Sequence, residues 1–422
     1  MSTQIFIPST AASGILGISD SAGTYTYYTT FTLAMAAASS GQTIEMFADV
    51  VETGAVTITL KNGVNINGNG HTYTLDNASP ANTVQDGGAA VNCVTSNITF
   101  KRIGGTASST NTLCMYITGA SKIKAYSTIL TSGTTNMRCL TINNANAEIY
   151  GIYAEGVSNP TITVTNGTLN DSTGKSINGG GISVGASGKI IKCIGYGVNV
   201  GGISNAGLAI DSFAYDPGVQ GFGNNGTAIN CTGWSNGSGG FAASGGSTSI
   251  NCIGYSTAQI GFYSNGAVNV ISCKGYSSAG AGLAMINGAA YDSLGFSTTS
   301  YGIWATNSGA TATDLRSCRA ISLAAIAIFM DNVTSGCKIY NTEAYSKWNN
   351  AGGHGIKVSG NNAEIVQCTI EVSNSSANAI NAASALTTKY ANNAFKGSTT
   401  AINANITQGV TNTHDNQGNI LV

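Results

Sequence analysis

A four-residue phrase returns six times between Ile191 and Phe296: Cys193-Ile-Gly-Tyr196, Ser212-Phe-Ala-Tyr215, Cys231-Thr-Gly-Trp234, Cys252-Ile-Gly-Tyr255, Cys273-Lys-Gly-Tyr276 and Ser293-Leu-Gly-Phe296. Its starts lie 19, 19, 21, 21 and 20 residues apart. Near-constant spacing of this kind is the mark of a chain built from stacked repeats. A stacked array grows without the size limit of a single core, so the 422 residues need not mean several domains.

The flanking residues align into columns. A small residue followed by an apolar one recurs as Gly202-Ile, Gly221-Phe, Gly240-Phe, Gly261-Phe, Gly282-Leu and Gly302-Ile. Seven to nine residues later comes a second apolar column, Ile191, Ile210, Ile229, Ile250, Ile271, Tyr291, Tyr340 and Val366. Two residues further on stands a Cys/Ser/Thr column: Cys193, Ser212, Cys231, Cys252, Cys273, Ser293, Cys318, Thr342 and Cys368. A spacing of two places both columns on one strand face, pointing inward, with the polar residues between them (Asp211, Asn230, Asn251 and their equivalents) pointing out. Arg316 interrupts the apolar column and predicts a local shift or bulge there. Helical periodicity is nearly absent, which excludes α-solenoids. The period of 19–26 residues predicts an all-β, single-stranded right-handed parallel β-helix of roughly 16 coils, each about 4.8 Å from the next.

Only 8% of residues are charged, against about 25% ordinarily, and the net charge is −1. Nothing here favours nucleic acid or an anionic membrane as partner. The ten cysteines include no C-x-x-C pair and mostly fall one per coil, which reads as reduced, buried structural thiols rather than disulfides or metal ligands. No metal or cofactor is expected. The N-terminus has no basic, apolar signal pattern, and no apolar run is long enough to span a bilayer.

Residues 1–28 have no clear period and read as an N-terminal arm or attachment segment; 29–410 form the β-helix with its cap, and 411–422 a C-terminal cap or tail. Thr30-Phe-Thr-Leu-Ala-Met-Ala-Ala-Ala-Ser-Ser-Gly41 is a short amphipathic helix, with Thr30 as cap, Gly41 as stop and Phe31, Leu33, Ala34 and Ala37 as its apolar face. That helix, followed by Ser40-Gly-Gln-Thr-Ile-Glu-Met-Phe47 and Leu60-Lys-Asn-Gly-Val-Asn-Ile-Asn-Gly-Asn-Gly70, resembles the N-terminal cap and first coils of pectate-lyase-like right-handed parallel β-helices. The resemblance implies a helix plugging the open end of the stack. The acidic calcium cluster of the family's lyases has no counterpart here.

Two sets of residues are candidates for function. Glu343 and Glu371 are the best-placed pair of acids, one coil apart and both outward, very roughly 8 Å from each other by coil spacing and strand rise. That is within the range of an inverting glycosidase, about 6.5–9.5 Å. Tyr196, Tyr215, Trp234, Tyr255, Tyr276, Phe296 and Tyr345 form an aromatic column that either fills a corner of the coil or faces out to stack on sugar rings. His71, His354 and His414 are isolated from metal-ligand spacing.

A low-charge β-helical rod with a Ser/Thr/Asn/Gly surface resembles bacteriophage tail spikes, tail fibres and other virion appendages. The resemblance implies a homotrimer on the virion, assembled in the host cytoplasm, joined to other virion proteins through the N-terminal arm and binding host surface polysaccharide without cleaving it. Two alternatives stay open: a tail-spike depolymerase using Glu343 and Glu371, and a bacterial adhesin at the cell surface.

Overall fold

The computed structural model describes residues 15–54, 56–76, 82–104, 113–133, 138–157, 160–306, 312–331, 336–359, 363–382, 388–397, 402–404 and 420–421. The fold is the all-β right-handed parallel solenoid that the period implied, with about 14 turns. Several coils are longer than the repeated ones, which lowers the number of turns: Ile66 pairs with Thr95, Val84 with Met115 and Ile328 with Ile356. By contact the chain divides into two compact units, Met1–Gly195 and Tyr196–Val422.

The first unit starts with a cap. Leu16–Ser19 and Tyr25–Tyr28 form an antiparallel hairpin, and Leu16–Ser19 also pairs antiparallel with Thr43–Met46. Part of the segment read as an arm is therefore built into the fold; residues 1–14 lie outside the described residues. The helix is Phe31–Ala37, and the Thr30 hydroxyl accepts from the Leu33 N–H. Its buried face is Phe31, Ala34, Met35 and Ala38, whereas Leu33 is 54% exposed. The i, i+3, i+4, i+7 set is the one that faces inward, and Leu33 at i+2 points away. The turn ends at Ala38, three residues before Gly41. Lys61 Nζ takes over the helix C-terminus, donating to the carbonyls of Met35, Ala36 and Ala38 at 3.4, 3.1 and 2.7 Å. At the other end Glu52 accepts from the Phe31 N–H and from the Tyr73 hydroxyl, tying the helix to the coil below. From Thr43–Met46 onward the strands stack in parallel: Asn92–Ile103 on Lys122–Ser132, and Leu140–Gly156 on Ile162–Asn170.

The second unit repeats three short strands per coil, as in Phe241–Ser244, Thr248–Ile250 and Ile253–Ser256. Between the last two, one residue adopts a left-handed conformation. The same holds at Asp211, Asn230, Asn251, Ser272, Asp292, Ser317, Asn341 and Gln367, with φ between 50° and 56°. This residue breaks the strand's alternation, and it corrects the sequence reading of the column before it. Ile210, Ile229, Ile250 and Ile271 are half-exposed. The fully buried residues are one place earlier: Ala209, Ala228, Ser249 and Val270. Arg316 is thus no anomaly. It pairs in register with Tyr291 and Tyr340 on an outward column, without a bulge, and its guanidinium lies over the Tyr340 ring.

The left-handed residue also explains the Cys/Ser/Thr column. Each side chain there donates back across the turn to the carbonyl two residues earlier. The hydroxyls of Ser212, Ser293 and Thr342 do so at 2.8–2.9 Å, and the thiols of Cys231, Cys252, Cys273, Cys318 and Cys368 at 3.3–3.4 Å. The same atom accepts the column N–H of the preceding coil, as Cys273 Sγ does for Cys252, Ser293 Oγ for Cys273 and Thr342 Oγ1 for Cys318. Those thiols are hydrogen-bonding rungs as well as small apolar groups. All ten cysteines are buried free thiols, and burial pushes Cys318 and Cys337 up to about 12. Inside the coils Phe222, Phe241 and Phe262 stack face to face with centroids 4.8 and 4.7 Å apart, the spacing of the strands that carry them.

Candidate functional site

The glycine of the repeated phrase shapes the site. In the sequence it reads as a place where the backbone turns; in the structure it sits inside a strand and points inward. A Cβ on Gly233, Gly254, Gly275 or Gly295 would come within 2.0–2.2 Å of the carbonyl oxygen of Gly240, Gly261, Gly282 or Gly302 across the coil. Two backbones lie against each other with no side chain between them. The residue after the glycine must therefore face outward, and its strand has a rigid backing.

That residue is the aromatic one. Tyr196, Trp234 and Tyr255 are 37%, 43% and 40% exposed, and Tyr215, Tyr276 and Phe296 are half-buried. Of the two orientations left open by the sequence, the rings take the outward one. Tyr196 meets Tyr215, and Tyr215 meets Trp234, edge to face at 6.4 and 5.6 Å. Tyr255 and Tyr276 stack at 4.9 Å and 11°, covering each other's facing surfaces, and Phe296 leans on Tyr276. The Tyr215 hydroxyl accepts from the Asn236 side chain at 3.3 Å. Along four coils the row borders a cleft of about 450 Å³ lined by Trp234, Tyr255, Ser256, Thr257, Tyr276, Ser277, Ser278, Phe296 and Thr298.

The second wall of the cleft escaped the sequence reading. Ser256, Ser277 and Ser297 follow the rings directly, point inward and brace the next turn. Each donates to a carbonyl of the previous coil, Ser238, Gln259 and Gly280 respectively. Each also accepts an N–H from its own turn, from Gln259, Gly280 and Ser300. This turn brace presents Thr257, Ser278 and Thr298 beside the rings. The signal was visible as a serine after five of the seven aromatics, at Ser235, Ser256, Ser277, Ser297 and Ser346, with Gly197 after Tyr196. Asp216 takes that place in its own coil. It is fully buried and accepts five backbone N–H groups, from Asn199, Val200, Gly201, Gly218 and Val219.

Glu343 and Glu371 occupy the expected register, since Glu343 pairs with Thr369 and Glu371 with Tyr345. Each is engaged by a cation. Arg319 Nε lies 3.2 Å from Glu343; Lys347 Nζ and Lys396 Nζ lie 3.1 and 3.7 Å from Glu371. The hydrogen bond from Lys347 holds Glu371 below the usual carboxylate range, opposite to what a general acid requires. Tyr345 carries Arg319 and Lys347 on its ring and is separated from the cleft by one coil. His71 pairs with Asp49, and His354 with the Asn378 N–H and the Asn381 side chain. His414 lies outside the described residues. Among the described residues no three His, Cys, Asp or Glu side chains converge at metal-ligand distance, and no helix is long and apolar enough to cross a membrane.

No protein-family model matches the chain, and no curated protein matches it. Among solved structures it is similar to the A-module of the mannuronan C-5 epimerase AlgE4 of Azotobacter vinelandii. The identity is 11% and the TM-score 0.25, over 85% of this chain and 88% of that one.

Proposed function

We propose that this protein is a non-catalytic attachment protein of a virion, a tail-spike- or fibre-like β-helix that binds a host surface glycan through the aromatic cleft. The observation that carries the reading is the row of outward rings on successive coils beside a row of hydroxyls. Tyr and Trp offer apolar surface with a polar tip, the combination that suits the alternating CH and OH faces of a sugar. The absence of catalysis is supported by the pairing of Glu343 and Glu371 with cations and by the lowered pKa of Glu371. Placement on a virion, trimerisation and attachment through the N-terminal segment belong to the same proposal and rest on the resemblance to phage appendages.

The test is to incubate the full chain with purified bacterial surface polysaccharides, then measure binding by interferometry and product length by size-exclusion chromatography. Binding without shortening is expected. Trp234→Ala should weaken it at least ~10-fold, which corresponds to about 1.4 kcal/mol. Shortened chains would replace this reading with that of a depolymerase.

A further inference from the structure

We infer that the cleft takes an uncharged, hydroxyl-rich oligosaccharide and rejects its carboxylated, sulfated or phosphorylated counterparts. The inference rests on the glycan-binding reading and narrows it to a ligand class.

The first support is charge. Among the described residues no Asp, Glu, Lys, Arg or His lines the cleft; its walls are aromatic rings and Ser and Thr residues. An anion moved there leaves water without gaining a cation, which is unfavourable. Lys274 is the nearest cation on the same strand, two residues before Tyr276. It stands on the side of the ring row away from the hydroxyls and is not part of the lining. Arg319 and Lys347, further along the stack, are already engaged with Glu343 and Glu371.

The second support is the direction of the hydrogen bonds. Thr298 Oγ1 donates its proton to the Ser278 carbonyl at 2.7 Å, and Thr257 Oγ1 to Asn236 at 3.3 Å. Ser256 and Ser277 have committed theirs to carbonyls as well. A hydroxyl whose proton is committed still has lone pairs, so Thr257 and Thr298 meet a ligand as acceptors. Sugar hydroxyls and amide N–H groups can donate to them. Carboxylate, sulfate and dianionic phosphate oxygens only accept and would face lone pair to lone pair at these two positions. The lining's remaining donors, the Ser278, Tyr255 and Tyr276 hydroxyls and the Trp234 N–H, are neutral and supply no charge to offset an anion's lost hydration. The ring row from Trp234 to Phe296 spans three coil steps, ~14 Å at the strand spacing, so the site suits a short oligosaccharide laid along the stack.

The experiment titrates the full chain by calorimetry with matched neutral, carboxylated and sulfated oligosaccharides, at low and high salt. The neutral member should bind at least ~10-fold tighter than either anion, about 1.4 kcal/mol, with little salt dependence. Thr298→Val, which keeps the shape and loses the lone pairs, should weaken the neutral ligand several-fold. Thr298→Ser should not, and it serves as the control for folding. An anionic ligand that binds as tightly as the neutral one, and is lost on Trp234→Ala, overturns this inference and leaves glycan binding standing. So does an anion whose binding depends on Lys274, tested with Lys274→Met. Failure of all three ligand classes, across the polysaccharides that supply them, overturns both this inference and the proposed function.

Discussion

Gly275→Ala adds one methyl group to a strand that has no room for it. The new carbon would lie 2.0 Å from the Gly282 oxygen, 2.7 Å from its carbonyl carbon and 3.0 Å from Phe262 Cβ. Real Cβ atoms essentially never approach closer than 3.0 Å, so the two strands must separate by about 1 Å. The obstacle is backbone held by the stack on either side, and no flexible side chain can move away. Overpacking of this kind costs about 1–3 kcal/mol. The loss of unfolded-state freedom on replacing glycine by alanine returns only about 0.4–1 kcal/mol. The steric cost is larger, and a net loss of about 1.3 kcal/mol is expected. Gly239→Ala is the internal control. Its Cβ would meet only the Ile260 oxygen, at an ordinary 3.6 Å, so it should be neutral or slightly stabilising. Native-state hydrogen exchange is the appropriate assay, because in a stacked array the damage stays in the substituted coil and its neighbours. Amides around Tyr276 should lose protection in Gly275→Ala and keep it in Gly239→Ala. Equal behaviour of the two variants, within about 0.5 kcal/mol, would refute the argument from backbone contact.

Three further outcomes follow from the turn chemistry. Cys273→Ala leaves the Cys252 N–H without its sulfur acceptor and should cost about 1–2 kcal/mol in urea denaturation, whereas Cys273→Ser, which restores the group found at Ser212 and Ser293, should stay within about 1 kcal/mol of the native chain. Asp216→Ala strips five backbone N–H groups, that of Gly201 buried, of their carboxylate acceptor and should cost about 2–3 kcal/mol, read as lost exchange protection at Gly201 and Gly218. Burial, with Lys357 nearby, holds His354 below its ordinary 6.5, so the unfolded chain takes up the proton first. Stability from this group is complete above about pH 6.5 and falls as pH drops from there through the folded-state value, and His354→Gln should flatten that slope in denaturation midpoints measured against pH.

Much of this architecture is legible in the chain because a stacked repeat writes each spatial column as a sequence column. The phrase from Cys252 to Tyr255 and its copies establish the coil length, the buried Cys rungs and the ring row. Residues from Ile191 to Ile271 mislead because hydropathy alone places isoleucine inside. The bulky Tyr291, Arg316 and Tyr340 in the same column were the contrary sign, and they show that this column faces out. The acids at Glu343 and Glu371 had the right register, but their partners come from other coils, and only the folded stack brings Lys396 and Lys347 to one carboxylate.

The sequence by itself determined the period, the parallel stacking and the order of small, buried and aromatic residues in every coil. The tertiary structure decided which way those residues point. A single left-handed residue reverses the alternation, and Asp, Asn, Ser and Gln all occupy that position. All of them are polar, so the position reads as an ordinary outward residue of an alternating strand, and hydropathy does not reveal the torsion. The seven-residue step from Gly254 to Gly261 likewise becomes a wall only when the coil closes and one backbone lies against the other. That closure turns the rings of the repeated phrase outward and makes a cleft beside them.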